Sequence, residues 1–81
     1  MIDAKSAIRA AIAYLQGFSE YIPAYDIRLE EIEHDQSGQW LITLSATDSP
    51  AFGQRNYRVF RVDSSSGEVL SMKVRTLQPV E

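Results

Sequence analysis

Tyr57-Arg58-Val59-Phe60-Arg61-Val62-Asp63-Ser64-Ser65-Ser66-Gly67-Glu68-Val69-Leu70-Ser71-Met72-Lys73-Val74-Arg75 is the stretch that decides the fold. Two runs rich in β-branched and aromatic residues flank a Ser/Gly cluster, the pattern of an antiparallel hairpin. Side chains alternate across a strand, so a register wrong by one residue turns an apolar row to the wrong face. A loop of Ser64 to Gly67 sets Phe60 opposite Ser71, whereas a loop of Ser65 to Gly67 sets Phe60 opposite Met72 and Val62 opposite Leu70. Apolar matching selects the shorter loop. The inner row then reads Phe60, Val62, Leu70, Met72 and Val74, and Tyr57, Val59, Arg61, Ser71, Lys73 and Arg75 face the other way.

The preceding segment yields to the same test. Gln36-Ser37-Gly38 reads as a hairpin loop with Gly38 at its left-handed position, pairing Asp35 with Gln39, His34 with Trp40 and Ile32 with Ile42. Trp40, Ile42, Leu44 and Ala46 form the inner row of that second strand, with Leu41, Thr43 and Ser45 outward. In the strand before it, Ile27 and Leu29 share one parity, Ile32 and His34 the other. One extra residue flips every later side chain, so a β-bulge near Glu30-Glu31 reconciles them. Asp48 to Gly53, with its Pro, Gly and small polar residues, is the longest irregular connection.

Upstream, Asp3 is a natural helix N-cap, since its carboxylate can accept from the orphan amides of a first turn beginning at Ala4. Ile8, Ala11, Ile12, Leu15 and Phe18 then recur on one helical face. Gly17 is a natural helix end, and Pro23 disfavours continuation through Ile22. An apolar helix stripe and a sheet with one apolar face bury each other by stacking. The predicted fold is therefore α+β: residues 1–81 form one domain in the order α-β-β-β-β, with the helix across a four-stranded antiparallel sheet, or across three main strands if the first is short.

A chain of 81 residues with 44% hydrophobic and 23% charged side chains has room for one core and the composition to fill it. Eleven acidic against eight basic residues give a net charge of -3, which argues against a general affinity for nucleic-acid backbones. Without cysteine there are no disulfides or thiolate zinc ligands. Met1 to Lys5 lack the basic-then-apolar pattern of a targeting segment, and no apolar run reaches membrane-spanning length, so the expected location is cytoplasmic with no membrane partner. No glycine-rich nucleotide motif or paired zinc-ligand motif occurs, and no cofactor is expected.

The densest polar cluster is Glu30-Glu31-Ile32-Glu33-His34-Asp35. Its residue types suit a divalent metal or acid-base chemistry, which makes a ligand-binding protein or an enzyme built on His34 the alternative function. Along a strand, however, Glu31, Glu33 and Asp35 stand about 7 Å apart, too far to converge on one ion. Ser64, Ser65 and Ser66 fit turn chemistry better than nucleophilic catalysis. The face carrying Arg61, Lys73 and Arg75 with Tyr57, Val59 and Leu41 fits contact with an acidic partner. Phe52, between Pro50 and Gly53, is a second contact candidate. These residues point to a non-enzymatic module whose partner is another protein; a homodimer joined through outer faces or edge strands is a third reading.

Val62-Asp63-Ser64-Ser65-Ser66-Gly67-Glu68-Val69-Leu70 resembles the strand-turn-strand of PepSY-like domains, whose turn often reads V-D-x-x-[TS]-G-E-V-L. The order of helix, Trp40 strand and hairpin is also similar to that of small cystatin-like bacterial immunity-type proteins. The resemblance loosely covers most of the chain and implies a protein-binding or peptidase-restraining role without catalysis. Many PepSY proteins are exported or membrane-attached, and this sequence shows neither signal. No functional residue of the family carries over to a position here.

Overall fold

In the computed structural model, which describes residues 1–51 and 53–75, Asp3 caps the helix as expected: Ser6 donates its amide to the Asp3 carboxylate at 2.9 Å. The helix, α1, runs Ala4–Gln16 and ends at Gly17. Ala7, Ala11 and Leu15, one helical turn apart, are buried along its central seam. Two alanines there let the helix axis sit close to the sheet, and the larger Ile8 and Ile12 pack on one flank of the seam. Tyr14 lies on the other flank, its ring edge-on to Phe60 at 6.4 Å.

Four strands follow, β1 Tyr25–His34, β2 Gln39–Thr47, β3 Arg55–Asp63 and β4 Val69–Arg75, in one antiparallel sheet of order β1-β2-β3-β4. The helix packs on one face of this sheet, so the α+β architecture is the predicted one. The first strand, at ten residues, is a full member. The core between the layers is Ile42, Leu44, Phe60 and Val62 against Ala7, Ala11 and Leu15. Burying a side chain such as Phe60 contributes roughly 2 to 3 kcal/mol.

The β1-β2 hairpin has the predicted register. Asp35 donates its amide to the Gln39 carbonyl at 2.9 Å, His34 faces Trp40, Ile32 faces Ile42, and Gly38 has φ of 83°. Leu29 lies opposite Leu44 and Glu31 opposite Thr43, which leaves Glu30 as the extra residue of the predicted bulge. A second bulge near the start of β1 was not expected. Asp26 and Ile27 lie between the pairs Tyr25-Thr47 and Arg28-Ser45, and Asp26 adopts φ of 54°.

The β3-β4 hairpin corrects the sequence reading in its loop. Asp63 donates its amide to the Glu68 carbonyl and Gly67 donates to the Asp63 carbonyl, so the loop is the longer one, Ser64 to Gly67. Val62 then pairs with Val69 rather than Leu70. A bulge at Leu70 restores the parity, and Phe60 faces Met72 as predicted. Val69 and Met72 pack against the core, Val69 taking the inner-row place predicted for Leu70, while Leu70, the extra residue of the bulge, is 46% exposed and Val74, beyond the reach of the helix, 65%.

The two hairpin turns meet the N-terminal segment at one end of the sheet. Ser64, which is buried, donates both its hydroxyl and its amide to the Gly38 carbonyl, at 2.5 and 3.2 Å. Its own carbonyl accepts from the Ile2 amide at 2.6 Å. The Ile2 carbonyl in turn accepts from the Trp40 indole at 3.2 Å.

Candidate partner-binding face

The sheet face away from the helix is built by alternation. Leu41 and Thr43 on β2 and Tyr57 and Val59 on β3 form its floor, since Leu41 pairs with Arg61, Thr43 with Val59 and Ser45 with Tyr57. Glu31 and Glu33 stand opposite Thr43 and Leu41 along the β1 side, while Lys73 and Arg75 stand opposite Val59 and Tyr57 along the β4 side. The face thus has an acidic border, a largely uncharged floor and a basic border.

No second layer covers this face among the described residues, yet Thr43 is only 3% exposed and Ser45 1%. Long polar side chains lie over Ser45. Ser45 donates its hydroxyl to Glu30 at 2.6 Å and accepts from Arg55 at 2.9 Å. Arg55 also donates to the carboxylate and carbonyl of Asp26, at 2.5 and 3.1 Å. Arg28 reaches the same carboxylate at 2.8 Å. The hydrogen bond from Arg28, followed by that from Arg55, holds the Asp26 carboxyl below the usual aspartate range. These contacts give the left-handed Asp26 bulge its partners, and nothing in the alternation of the sequence marks it.

The cations singled out from the sequence do share this face, but most of them are engaged within the chain. Arg61 donates to the Asp35 carboxylate at 3.1 Å and to the Gln39 side-chain carbonyl at 2.7 Å. Arg75 pairs with Glu31 across the face. Among the described residues Lys73 is the cation of this border without an ion pair. Tyr57 is half-buried beside Ser45 and Arg75. Phe52 lies outside the described residues. Exposed ion pairs of this kind contribute about 0 to 1 kcal/mol each, so a partner's carboxylate could compete for either arginine.

Asp35 belongs to the turn rather than to a metal site. Its Oδ1 accepts from the Gln39 amide, the Ser37 hydroxyl and the Ser37 amide at 2.8 to 3.0 Å. The Gln39 amide first, then the Ser37 hydroxyl and more weakly Arg61, lower its pKa. His34 turns to the helix side of β1, where its ring lies 4.5 Å from that of Trp40. Glu31 and Glu33 point to the opposite face, so the fold separates the imidazole from the carboxylates that would have assisted it. Among the described residues no group of three metal-ligating side chains converges.

A depression bounded by Leu15, Ile22, Leu44 and Arg58 holds about 10 Å³, the scale of one water rather than of a metabolite. No helix among the described residues is long and apolar enough to cross a membrane. No protein-family model, curated protein or solved structure matches the chain.

Proposed function

We propose that this chain is a non-enzymatic protein-binding module, of the inhibitor or immunity type, that engages its partner through the sheet face opposite the helix. The observation that carries the reading is the arrangement on that face: Leu41, Tyr57 and Val59 stay partly open between a border of glutamates and a border bearing Lys73, which has no ion pair among the described residues. Opposite charges flanking an uncharged strip orient a partner and speed its encounter, while the strip supplies the contact area. The likeness of the Val62–Leu70 turn to PepSY-like domains supports the same role. The bacterial part of the reading rests on that likeness, and the cytoplasmic part on the lack of a targeting or membrane-spanning pattern in the sequence.

The test is affinity capture from the source organism with the wild type and with Lys73→Glu, Tyr57→Ala and His34→Ala variants of unchanged melting temperature. A stoichiometric protein held by the wild type and by His34→Ala, but lost by Lys73→Glu and Tyr57→Ala, is the expected result. Equal retention by all variants places the contact elsewhere and removes the proposal, as does catalytic turnover that disappears with His34→Ala.

A further inference from the structure

The two edges of the sheet are unlike each other. β1 carries two bulges, at Asp26 and Glu30, and three acidic side chains, Glu30, Glu31 and Glu33. Bulges and charge are the devices by which an edge strand resists pairing with another chain. β4 has no bulge beyond Leu70 and pairs with β3 in unbroken register from Ser71 to Arg75. Among the described residues, its other side leaves backbone donors and acceptors without sheet partners.

From this asymmetry we propose that β4 pairs antiparallel with the β4 of a second copy of this chain, in a register centred on Met72. The register follows from the residues. Pairing about Met72 sets Leu70 opposite Val74 of the second copy, and Val74 opposite its Leu70, so the two most exposed apolar residues of the strand cover each other. Ser71 then faces Lys73, with no like charges directly opposed, and the ladder ends at Leu70, where the bulge turns Val69 to the helix side. A centre at Lys73 would set the two lysines against each other, and a centre at Ser71 would leave Val74 opposite Glu68. A centre between residues would turn apolar side chains to the wrong face.

The pairing is isologous, each copy giving and receiving the same contacts, and it joins four strands from each copy into one sheet. Both helices then lie on the same side of that sheet. Tyr14, on the exposed margin of α1 above β3, would line the gap between them together with Leu70 and Val74. The paired edge adjoins the face assigned to a partner protein at Lys73, but association is read by Val74 and Met72 and partner binding by Tyr57, so either proposal can fail without the other.

Sedimentation velocity of the wild-type chain across a concentration series tests the association. A monomer-dimer equilibrium with a dissociation constant on the order of 100 µM is expected, because one strand edge with a few apolar side chains lies at the small end of specific interfaces. Val74→Lys, at a position 65% exposed, should keep the melting temperature and weaken association at least about tenfold. The native chain has no cysteine, which allows the register to be read by oxidation. Met72→Cys should form an intermolecular disulfide, since the two Cα atoms would lie about 5 Å apart. Val74→Cys alone should not, its copies being separated by about 13 Å along the strands. Should Met72→Cys unfold, the double variant Leu70→Cys/Val74→Cys reads the same register. A wild type that remains monomeric at about 1 mM, or disulfides that form equally well with Val74→Cys alone, would overturn the proposal.

Discussion

The hydroxyl of Ser64 donates to the carbonyl of Gly38 at 2.5 Å, and this bond joins the turns of the two hairpins at one end of the sheet. The turns lie on different strand pairs, and the β2-β3 ladder brings them side by side. The serine run therefore has two kinds of member: Ser64 is buried, whereas Ser65 and Ser66 are exposed and complete the turn around Asp63.

Ser64→Ala should lower stability by about 1 kcal/mol, the net worth of one partly buried hydrogen bond, with the Gly38 carbonyl keeping the Ser64 amide. Ser65→Ala should stay within about 0.5 kcal/mol of the wild type. Urea unfolding distinguishes them; equal midpoints would mean that the inter-turn bond contributes nothing.

Gly38→Ala isolates a conformational cost. A Cβ at Gly38 would meet the Ser64 Oγ at 3.7 Å, an ordinary contact, but φ of 83° is unfavourable for alanine. The expected loss is about 1 to 2 kcal/mol. Gly38→Asn should lose less, since asparagine tolerates the left-handed region better. The reverse order in thermal melts would show that space rather than backbone conformation governs this turn.

The aspartates at positions 3, 26 and 35 all have lowered pKa values, from the Ser6 amide, Arg28 and the Gln39 amide respectively as the largest causes. A carboxyl depressed in the folded state contributes stability that is complete above its ordinary value of 3.8 and is lost as pH falls through the lowered folded value. Stability should therefore fall with acid below about pH 4. Asp35→Asn should flatten part of that decline while also lowering stability at neutral pH. Parallel pH profiles for the two proteins would contradict the assignment.

Ala11→Leu probes the helix-sheet spacing. Ala11 has no exposed surface, so added methylenes must lift the helix or distort the core, at about 1 to 3 kcal/mol. Ala13→Leu, on the exposed side of α1, should change stability by less than about 0.5 kcal/mol. Denaturant midpoints that do not separate the two variants would mean that the seam is looser than its burial indicates.

Local chemistry made several elements legible in the sequence. The Asp3 cap, the Gln36–Gly38 loop and the Glu30 bulge each follow from residue type or from the parity of apolar positions. Parity alone could not assign the Ser64–Gly67 loop, because a loop longer by one residue combined with a bulge at Leu70 gives the same Phe60-Met72 pair. The bulge at Asp26 left no apolar signal either, since the residue whose face it changes is Tyr25 alone, at the start of the strand. On the candidate face, alternation correctly grouped Tyr57, Arg61, Lys73 and Arg75. That Arg61 meets Asp35 and Arg75 meets Glu31 depends on how the sheet brings non-neighbouring segments together, which no spacing in the chain encodes.

The attachment of Ile2 to Ser64 and Trp40 has a consequence for how the molecule comes into being. The helix is 13 residues long, and isolated helices of that length are marginal in water. Its core partners Phe60 and Val62, and the Ser64 carbonyl that anchors its leading end, are synthesised most of a chain length later. Contacts so distant in sequence form slowly and only after the intervening loop has closed. On the ribosome the helix must therefore wait, and the domain acquires its structure in one late, cooperative event rather than by growth from its leading end.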